Sequence, residues 1–153
     1  MKRLLPGALP ALALLAGCTA APAARPPATL PPGSVWAVRV TPLSPDPGEV
    51  ASVVDPGEVR AIAASEAFAA HGWSATRGTP PSPRYRIDLL GDDGAQASFW
   101  LGTGAQPARF PCYAFCTGWW IAPAGPTHES DATAYKGLPE SVTGPLLEAL
   151  DIP

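Results

Sequence analysis

Two alternating segments joined by a tight turn, RYRIDLL (84–90) and AQASFWL (95–101), most constrain how this chain can fold. In the first segment Tyr85, Ile87 and Leu89 share one side of an extended strand, and polar residues share the other. The linking GDDG (91–94) supplies Asp and Gly, which tolerate the positive φ angles of a hairpin turn. The pattern predicts two antiparallel strands with one apolar face.

Further periodic segments complete one small domain. VWAVRV (35–40), with Trp36, Val38 and Val40 on one side, and TGWWIA (117–122) both alternate like strands. LPESVTGPLLEALDI (138–152) is typical of a helix in two pieces, broken where Gly144 and Pro145 interrupt it. The order β-α-β-β-β-α predicts an α+β, two-layer sandwich, with a mainly antiparallel sheet and helices on one face.

The first helix has a clear start signal. Asp55 can accept hydrogen bonds from free first-turn amides, and Pro56 suits the first helical position because its missing N–H would be unpaired there. Glu58 favours the positive end of the helix dipole. Helix formers run from Glu58 to His71 and a glycine follows, so we expect the helix to end there, with His71 favoured by the dipole and not catalytic.

The amino terminus carries a targeting pattern. Lys2 and Arg3 precede an apolar run that is too short to span a bilayer and that stops at Cys18. A positive head followed by a short apolar segment is typical of a secretory signal. The end of the run, LAGC (15–18), resembles the lipobox of bacterial lipoproteins.

This resemblance implies a cellular location. Residues 1–17 would be a signal peptide that is removed, and Cys18 would carry the lipid on its thiol and often on its freed amine. Thr19, in place of an aspartate, implies transfer to the outer membrane, facing the periplasm. Residues 18–34 would form the lipidated cysteine and a Pro/Ala-rich tether, and 35–153 a single domain.

Charge disfavours one class of partner. Removing Lys2 and Arg3 leaves eight basic residues against thirteen acidic ones, a net charge of about −5. The basic residues form no cluster on any predicted element, whereas nucleic-acid binding needs concentrated Lys and Arg. We therefore expect the membrane, through Cys18, and an envelope protein as partners, and no nucleic acid.

The element order resembles that of small α/β envelope lipoproteins. The likeness rests on an Ala-rich helix ending near HGW (71–73), a strand such as RYRIDLL (84–90), and a short last helix that ends at a proline. It implies a fold and no activity.

CYAFC (112–116) offers the first chemical candidate. With Cys18 lipidated, Cys112 and Cys116 are an even pair in an oxidising compartment, which favours a disulfide. Residues i and i+4 of a strand lie about 13 Å apart, too far to bridge, so a bond requires a turn there. Cys-x3-Cys with His128 also resembles the copper site of Sco-type copper-delivery proteins, which implies a metal or redox carrier; in that family, however, a helix follows the cysteines, and here a strand does.

Catalytic motifs are sparse in this chain. It has two histidines, HES (128–130) is not a two-histidine zinc motif, and no G-x-S-x-G occurs. A small hydrolase therefore stays a third alternative, after a non-enzymatic domain and a metal or redox carrier. We expect no catalytic residues, no bound metal and no cofactor.

Aromatic and basic side chains form the last candidate site, a binding surface. Trp100 and Trp120 fall on the strand face opposite the predicted core, together with Arg84 or Arg86. Left uncovered, they would form an apolar patch with charged edges, as binding sites do; a loop or the tether covering them is the alternative. The sequence thus favours a lipid-anchored periplasmic domain, without catalytic activity, that holds a partner protein or an envelope component.

Overall fold

The computed structural model describes residues 27–43, 48–75, 83–105, 117–124 and 134–153. Within these ranges it has seven strands, two α-helices and two short 3-10 turns, and none of its helices is long and apolar enough to cross a membrane. The elements are β1 (Val35–Pro42), β2 (Ala51–Val53), α1 (Pro56–Ala63), β3 (Ser74–Ala75), β4 (Tyr85–Gly91), β5 (Gln96–Ala105), β6 (Thr117–Pro123), β7 (Ala134–Leu138) and α2 (Glu140–Ala149), with the 3-10 turns at Pro32–Ser34 and Glu66–Phe68.

The strands form one antiparallel sheet in the order β2-β1-β4-β5-β6-β7-β3. Both helices pack on one face of this sheet, where Val59 and Ile62 of α1 and Leu146 of α2 join the same buried cluster as Ile87 and Phe99. The predicted α+β architecture with an antiparallel sheet and helices on one face is confirmed.

The central hairpin forms as the alternation predicts. Tyr85 pairs with Leu101 and Ile87 with Phe99 in the β4–β5 register. Gly94 closes the turn at a φ of 71°, a left-handed conformation that glycine adopts without steric cost.

The amino end of α1 is capped by Asp55. Its carboxylate accepts hydrogen bonds from the N–H groups of Gly57 and Glu58, at 2.9 and 3.0 Å. The predicted start of the helix is confirmed.

The predicted end of this helix is wrong. The helix stops at Ala63, and the side chain of Ser65 accepts a hydrogen bond from the N–H of Ala67 and starts a new 3-10 turn. That turn directs Phe68 into the core, where its ring lies 5.0 Å from Phe99. Burial of an aromatic ring outweighs continuation of the helix, so His71 lies beyond the last turn and not within it.

The last helix is not broken. Pro145 lies inside α2, where it lacks the N–H that would bond to the preceding turn. Leu146 on this helix and Leu150 at its carboxyl-terminal cap are 3 % and 1 % exposed, and Thr143 donates its hydroxyl hydrogen to the carbonyl oxygen of Pro139 at 3.0 Å. We attribute the continuous helix to this packing.

Two further features of the sheet depart from the sequence prediction. The segment AYKGL (134–138) forms β7, a strand that the predicted β-α-β-β-β-α order does not contain. The pairing of β1 shifts between Val35 and Ala37, so Trp36 does not share the side of Val38 and is 53 % exposed. Its indole N–H donates to the carbonyl oxygen of Gly91 at 3.1 Å.

The described end of the predicted tether lies against the domain. Leu30 packs on the buried cluster, and its Cδ1 lies close to Gly91 at the end of β4. Residues before Pro27 lie outside the described residues, and so do Cys18 and the predicted signal peptide.

Candidate functional site

The sheet face opposite the helices is the candidate site, and we call it the outer face. Strand pairing fixes its membership, because directly paired residues share a face: Arg39 pairs with Asp88, and Arg86 with Trp100. The outer face carries Arg39, Arg86, Asp88, Gln96, Ser98, Trp100, Gly102, Trp120 and Ala122.

A buried carboxylate organises the centre of this face. Asp88 is 4 % exposed, and its Oδ1 accepts three hydrogen bonds: from Ser98 Oγ at 2.6 Å, Arg86 Nε at 2.9 Å and Gln96 Nε2 at 2.9 Å. Arg86 also donates from Nη2 to Ser98 Oγ at 3.1 Å, which closes the network. The donors come from two neighbouring strands, so the network follows from the β4–β5 register.

The network keeps Asp88 charged. Burial raises the pKa of this carboxyl, but the hydrogen bonds from Ser98 and Arg86, the positive charge of Arg86 and the hydrogen bond from Gln96 together outweigh burial and lower the pKa below 3.8. Asp88 therefore acts as a fixed negative group that orients the guanidinium of Arg86.

Arg86 is held over an aromatic ring. Its Cζ lies 5.6 Å from the ring centroid of Trp100, the residue directly opposite on β5. Both side chains are half-buried and remain partly open to solvent. The structure thus brings together the predicted binding residues Arg86 and Trp100 in a cation–π arrangement.

Two other arginines flank this pair and are more open. Arg39 lies beside Asp88 on β1, and Arg84 precedes β4 by one residue. Both are exposed, and within the described residues neither side chain makes a hydrogen bond or an ion pair. Of the two arginines predicted at the patch, Arg86 belongs to the network, and Arg84 has no side-chain partner among the residues that the structure describes.

Trp120 has a different position from Trp100. It is 1 % exposed and packs with Ala122 in a second buried cluster, to which Trp100 and Tyr135 contribute. Its indole lies against Gly102, the residue directly opposite on β5. Within the described part of the chain, the Nε1 donors of Trp100 and Trp120 have no hydrogen-bond partner. Trp100 is therefore partly accessible to solvent on the outer face, whereas Trp120 is not.

The remaining predicted sites fall outside the described residues. They are Cys18, the pair Cys112 and Cys116, and His128. The lipid, the disulfide and the copper-type site therefore stay predictions. In the ranges that are described, no three His, Cys, Asp or Glu residues lie close enough to hold a metal ion.

Sequence reasoning missed a buried lysine on the helix side of the sheet. Lys136 of β7 is 8 % exposed, and its Nζ donates to the carbonyl oxygens of Glu66 and Ala69, at 2.8 and 2.9 Å. The same ammonium lies 5.0 Å from the ring centroid of Trp73. Burial lowers the pKa of Lys136, and the negative charge of Glu66 only partly opposes this effect. These contacts join the 3-10 turn to the sheet.

His71 is an exposed residue at the rim of this region. Its Nε2 lies 2.9 Å from a carboxylate oxygen of Glu66, and both side chains are more than half exposed. An exposed pair of this kind contributes little to stability. Among the described residues, the partner of the His71 imidazole is thus a carboxylate.

Comparison of the chain with protein families, with curated proteins and with solved structures finds no match.

Proposed function

We propose that this chain is a lipid-anchored protein of the bacterial cell envelope that binds a partner and catalyses no reaction. In this proposal Cys18 carries the lipid, residues 18–34 form the tether, and the domain faces the periplasm from the outer membrane. The positive head, the short apolar run and LAGC (15–18) support the anchor. Two acyl chains or more on one residue make such an anchor stable.

The observation that carries the binding role is the orientation of Arg86. The buried Asp88 network fixes its guanidinium over Trp100 on a sheet face that the helices leave open. Arginine and tryptophan are the residue types most enriched at the energetic centres of protein interfaces. A side chain already held in one geometry loses less conformational freedom when a partner binds.

Charge indicates the chemistry of the partner. Arg39 and Arg84 are exposed on either side of Arg86 in a chain whose overall charge is negative. Only one described carboxylate, Asp88, lies on this part of the face, and it already accepts three hydrogen bonds. A partner segment that presents carboxylates would therefore meet three arginines.

The outer face is poorly suited to hydrolysis. Ser98 is its candidate nucleophile, but Ser98 donates its hydroxyl hydrogen to Asp88, a carboxylate that stays charged. Nucleophilic catalysis needs a base that can take this proton and return it, and His71 lies beside Glu66 instead. This geometry favours binding over the hydrolase alternative.

Photocrosslinking in bacterial cells tests the binding role. A photoreactive residue at Gln96, on the outer face, should give discrete adducts with another protein, while one at Glu148, on α2, should not. Replacing Gln96 removes one of the three hydrogen bonds to Asp88, and we expect those from Ser98 and Arg86 to remain.

A charge-reversal variant completes the binding test. The double variant Arg39→Glu, Arg84→Glu should lose most of the adduct, because acidic groups on the partner would be repelled. Arg60→Glu, which changes an exposed arginine on α1, should retain it. Equal adduct yields from the two variants would refute an acidic partner at this face.

Metabolic labelling tests the anchor separately. Labelled palmitate should enter the full chain and be lost in Cys18→Ala, whereas Cys112→Ala should label like the parent. Labelling that survives in Cys18→Ala would contradict the proposed site.

A further inference from the structure

One edge of the Arg86 guanidinium is free. An arginine side chain carries five N–H donors in a planar fork. In Arg86, Nε donates to Asp88 Oδ1 at 2.9 Å and Nη2 donates to Ser98 Oγ at 3.1 Å, so the edge between Nε and Nη2 is occupied. No described residue accepts a hydrogen bond from the remaining N–H groups, and two of these lie parallel on the edge between Nη1 and Nη2.

This free edge is open to solvent. Among the described residues, the buried side-chain nitrogen and oxygen atoms without a hydrogen-bond partner are the indole nitrogens of Trp100 and Trp120. Nη1 of Arg86 also has no partner there, and because it is not one of these buried atoms it contacts solvent. The Arg86 side chain is 30 % exposed, whereas that of Asp88 is 5 % exposed. The network thus holds the guanidinium by its inner edge and leaves the outer edge accessible.

The two flanking arginines are held less firmly. Arg39 and Arg84 are exposed, and their side chains make no hydrogen bond or ion pair with any described residue. Each of them would lose the freedom of several torsions when a partner binds. Arg86 is already fixed by its two hydrogen bonds and by the ring of Trp100, whose centroid lies 5.6 Å from Cζ. The three arginines therefore differ in geometry although they carry the same charge.

We propose that the free edge of Arg86 binds one carboxylate of the partner through two parallel hydrogen bonds, and that Arg39 and Arg84 contribute positive charge alone. This inference rests on the proposed function, in which the partner presents carboxylates to the outer face. The two oxygens of a carboxylate match two parallel N–H groups, and such a pair adds a directional requirement to the attraction of the charges. Lysine has a compact ammonium without this fork, so lysine should replace either flanking arginine but not Arg86.

Lysine substitutions in the full chain separate charge from geometry, because each of them keeps the positive charge. The background is Cys18→Ala, which removes the proposed lipid attachment site; the probe is a tetraglutamate peptide with blocked ends, and tetraglutamine is the blank. Titration followed through the NMR signal of the Trp100 indole N–H gives the dissociation constant. Arg39→Lys and Arg84→Lys should stay within about twofold of the parent, whereas Arg86→Lys should bind tetraglutamate at least about tenfold more weakly.

The variant Ser98→Ala tests the geometry without changing any charge, and it decides the question if Arg86→Lys does not fold. It removes the acceptor that holds Nη2 and leaves Asp88 as the remaining side chain that fixes the inner edge. The affinity for tetraglutamate should fall several-fold, because the guanidinium is then less restricted before binding. Ser141→Ala, a change at an exposed serine of α2, should leave the affinity unchanged.

The proposal is overturned if Arg86→Lys binds tetraglutamate as tightly as Arg39→Lys and Arg84→Lys do, or if Ser98→Ala binds it as tightly as Ser141→Ala does. A parent that still prefers tetraglutamate to tetraglutamine would in that case leave the acidic partner of the proposed function standing. A parent that binds the two peptides equally would instead contradict that partner, and this inference with it.

Discussion

Gly102 and Trp120 form a cross-strand pair in which the absence of a side chain is essential. A methyl group built on Gly102 would lie 2.5 Å from Cε2 and 2.8 Å from Nε1 of the Trp120 indole. Real Cβ atoms essentially never make contacts below 3.0 Å, so the ring or a strand has to shift. Trp120 is 1 % exposed, so its ring is surrounded by other atoms of the protein. Gly102→Ala should therefore destabilise the fold.

The magnitude follows from two opposing effects. Forcing an extra methyl group into a packed site costs about 1–3 kcal/mol. Replacing glycine by alanine also restricts the unfolded chain, which stabilises by about 0.4–1 kcal/mol where the backbone angles allow alanine. The clash is the larger effect, so we expect the free energy of unfolding to fall by about 1–2 kcal/mol.

Equilibrium urea unfolding, followed by far-UV circular dichroism, measures this difference. Gly33→Ala is the matched control: this residue has no left-handed φ, and outside its chain neighbours nothing lies within 4 Å of an added methyl group, so the substitution should stabilise by about 0.4–1 kcal/mol. In a Trp120→Leu background, Gly102→Ala should become neutral or stabilising, because the ring that it would meet is gone. A Gly102→Ala protein as stable as the parent, or an equal loss in both backgrounds, would refute the proposed contact.

Three further substitutions test other parts of the structure. Asp55→Ala removes two hydrogen bonds at the start of α1 and should lower the free energy of unfolding by about 1 kcal/mol in the same urea assay, whereas Asp92→Ala in the hairpin turn should change it little. Asp88→Asn should have a lower free energy of unfolding than the parent at neutral pH, and the difference between the two proteins should shrink as the pH falls below 3.8, the ordinary pKa of this carboxyl. The reason is that folding lowers the pKa of Asp88, so its carboxylate stabilises the fold above that pH and loses this effect in acid. A gap that stays constant from pH 6 to pH 2 would contradict this assignment. Lys136→Met should cost about 2–3 kcal/mol in urea unfolding because it leaves the carbonyl oxygens of Glu66 and Ala69 without their donor, and amide hydrogen exchange should rise first in residues 66–69; unchanged exchange there would show that the lysine does not hold the turn.

Local sequence patterns were sufficient to predict the centre of the fold. The hairpin from Tyr85 to Leu101 depends on alternation and on a turn sequence, and both are read within a few residues. The cap at Asp55 is equally local. The outer-face pair of Arg86 and Trp100 followed from the same alternation, and the Asp88 network follows once the hairpin register is known.

Features that depend on distant residues were not predictable in this way. The break after Ala63 reflects the burial of Phe68 against Phe99, and Pro145 is tolerated because its neighbours in α2 are buried. β7 pairs with β6 and with the two-residue β3, and no local pattern in AYKGL (134–138) indicates those partners.

Contacts with distant residues also explain why Lys136 and Trp120 are buried, one on each face of the sheet. Lys136 is buried because residues 66–69 of the other half of the chain supply acceptors for its ammonium. Trp120 is buried beside Gly102, a neighbour that only the β5–β6 pairing identifies. The sequence alone does not show whether a charged or large residue in a strand is buried, because it does not identify the neighbours of that strand.

The bond from Lys136 to the Glu66 carbonyl joins positions that are 70 residues apart in the sequence. Because a polypeptide is synthesised from its amino end, the turn at Glu66 is made long before the lysine that secures it. The amino-terminal half of the chain can then begin to collapse, but its helical layer is held to the sheet by Lys136 only when β7 has formed. The fold is thus completed only after residue 136 has been made, and a copy truncated before Lys136 would leave that layer unsecured.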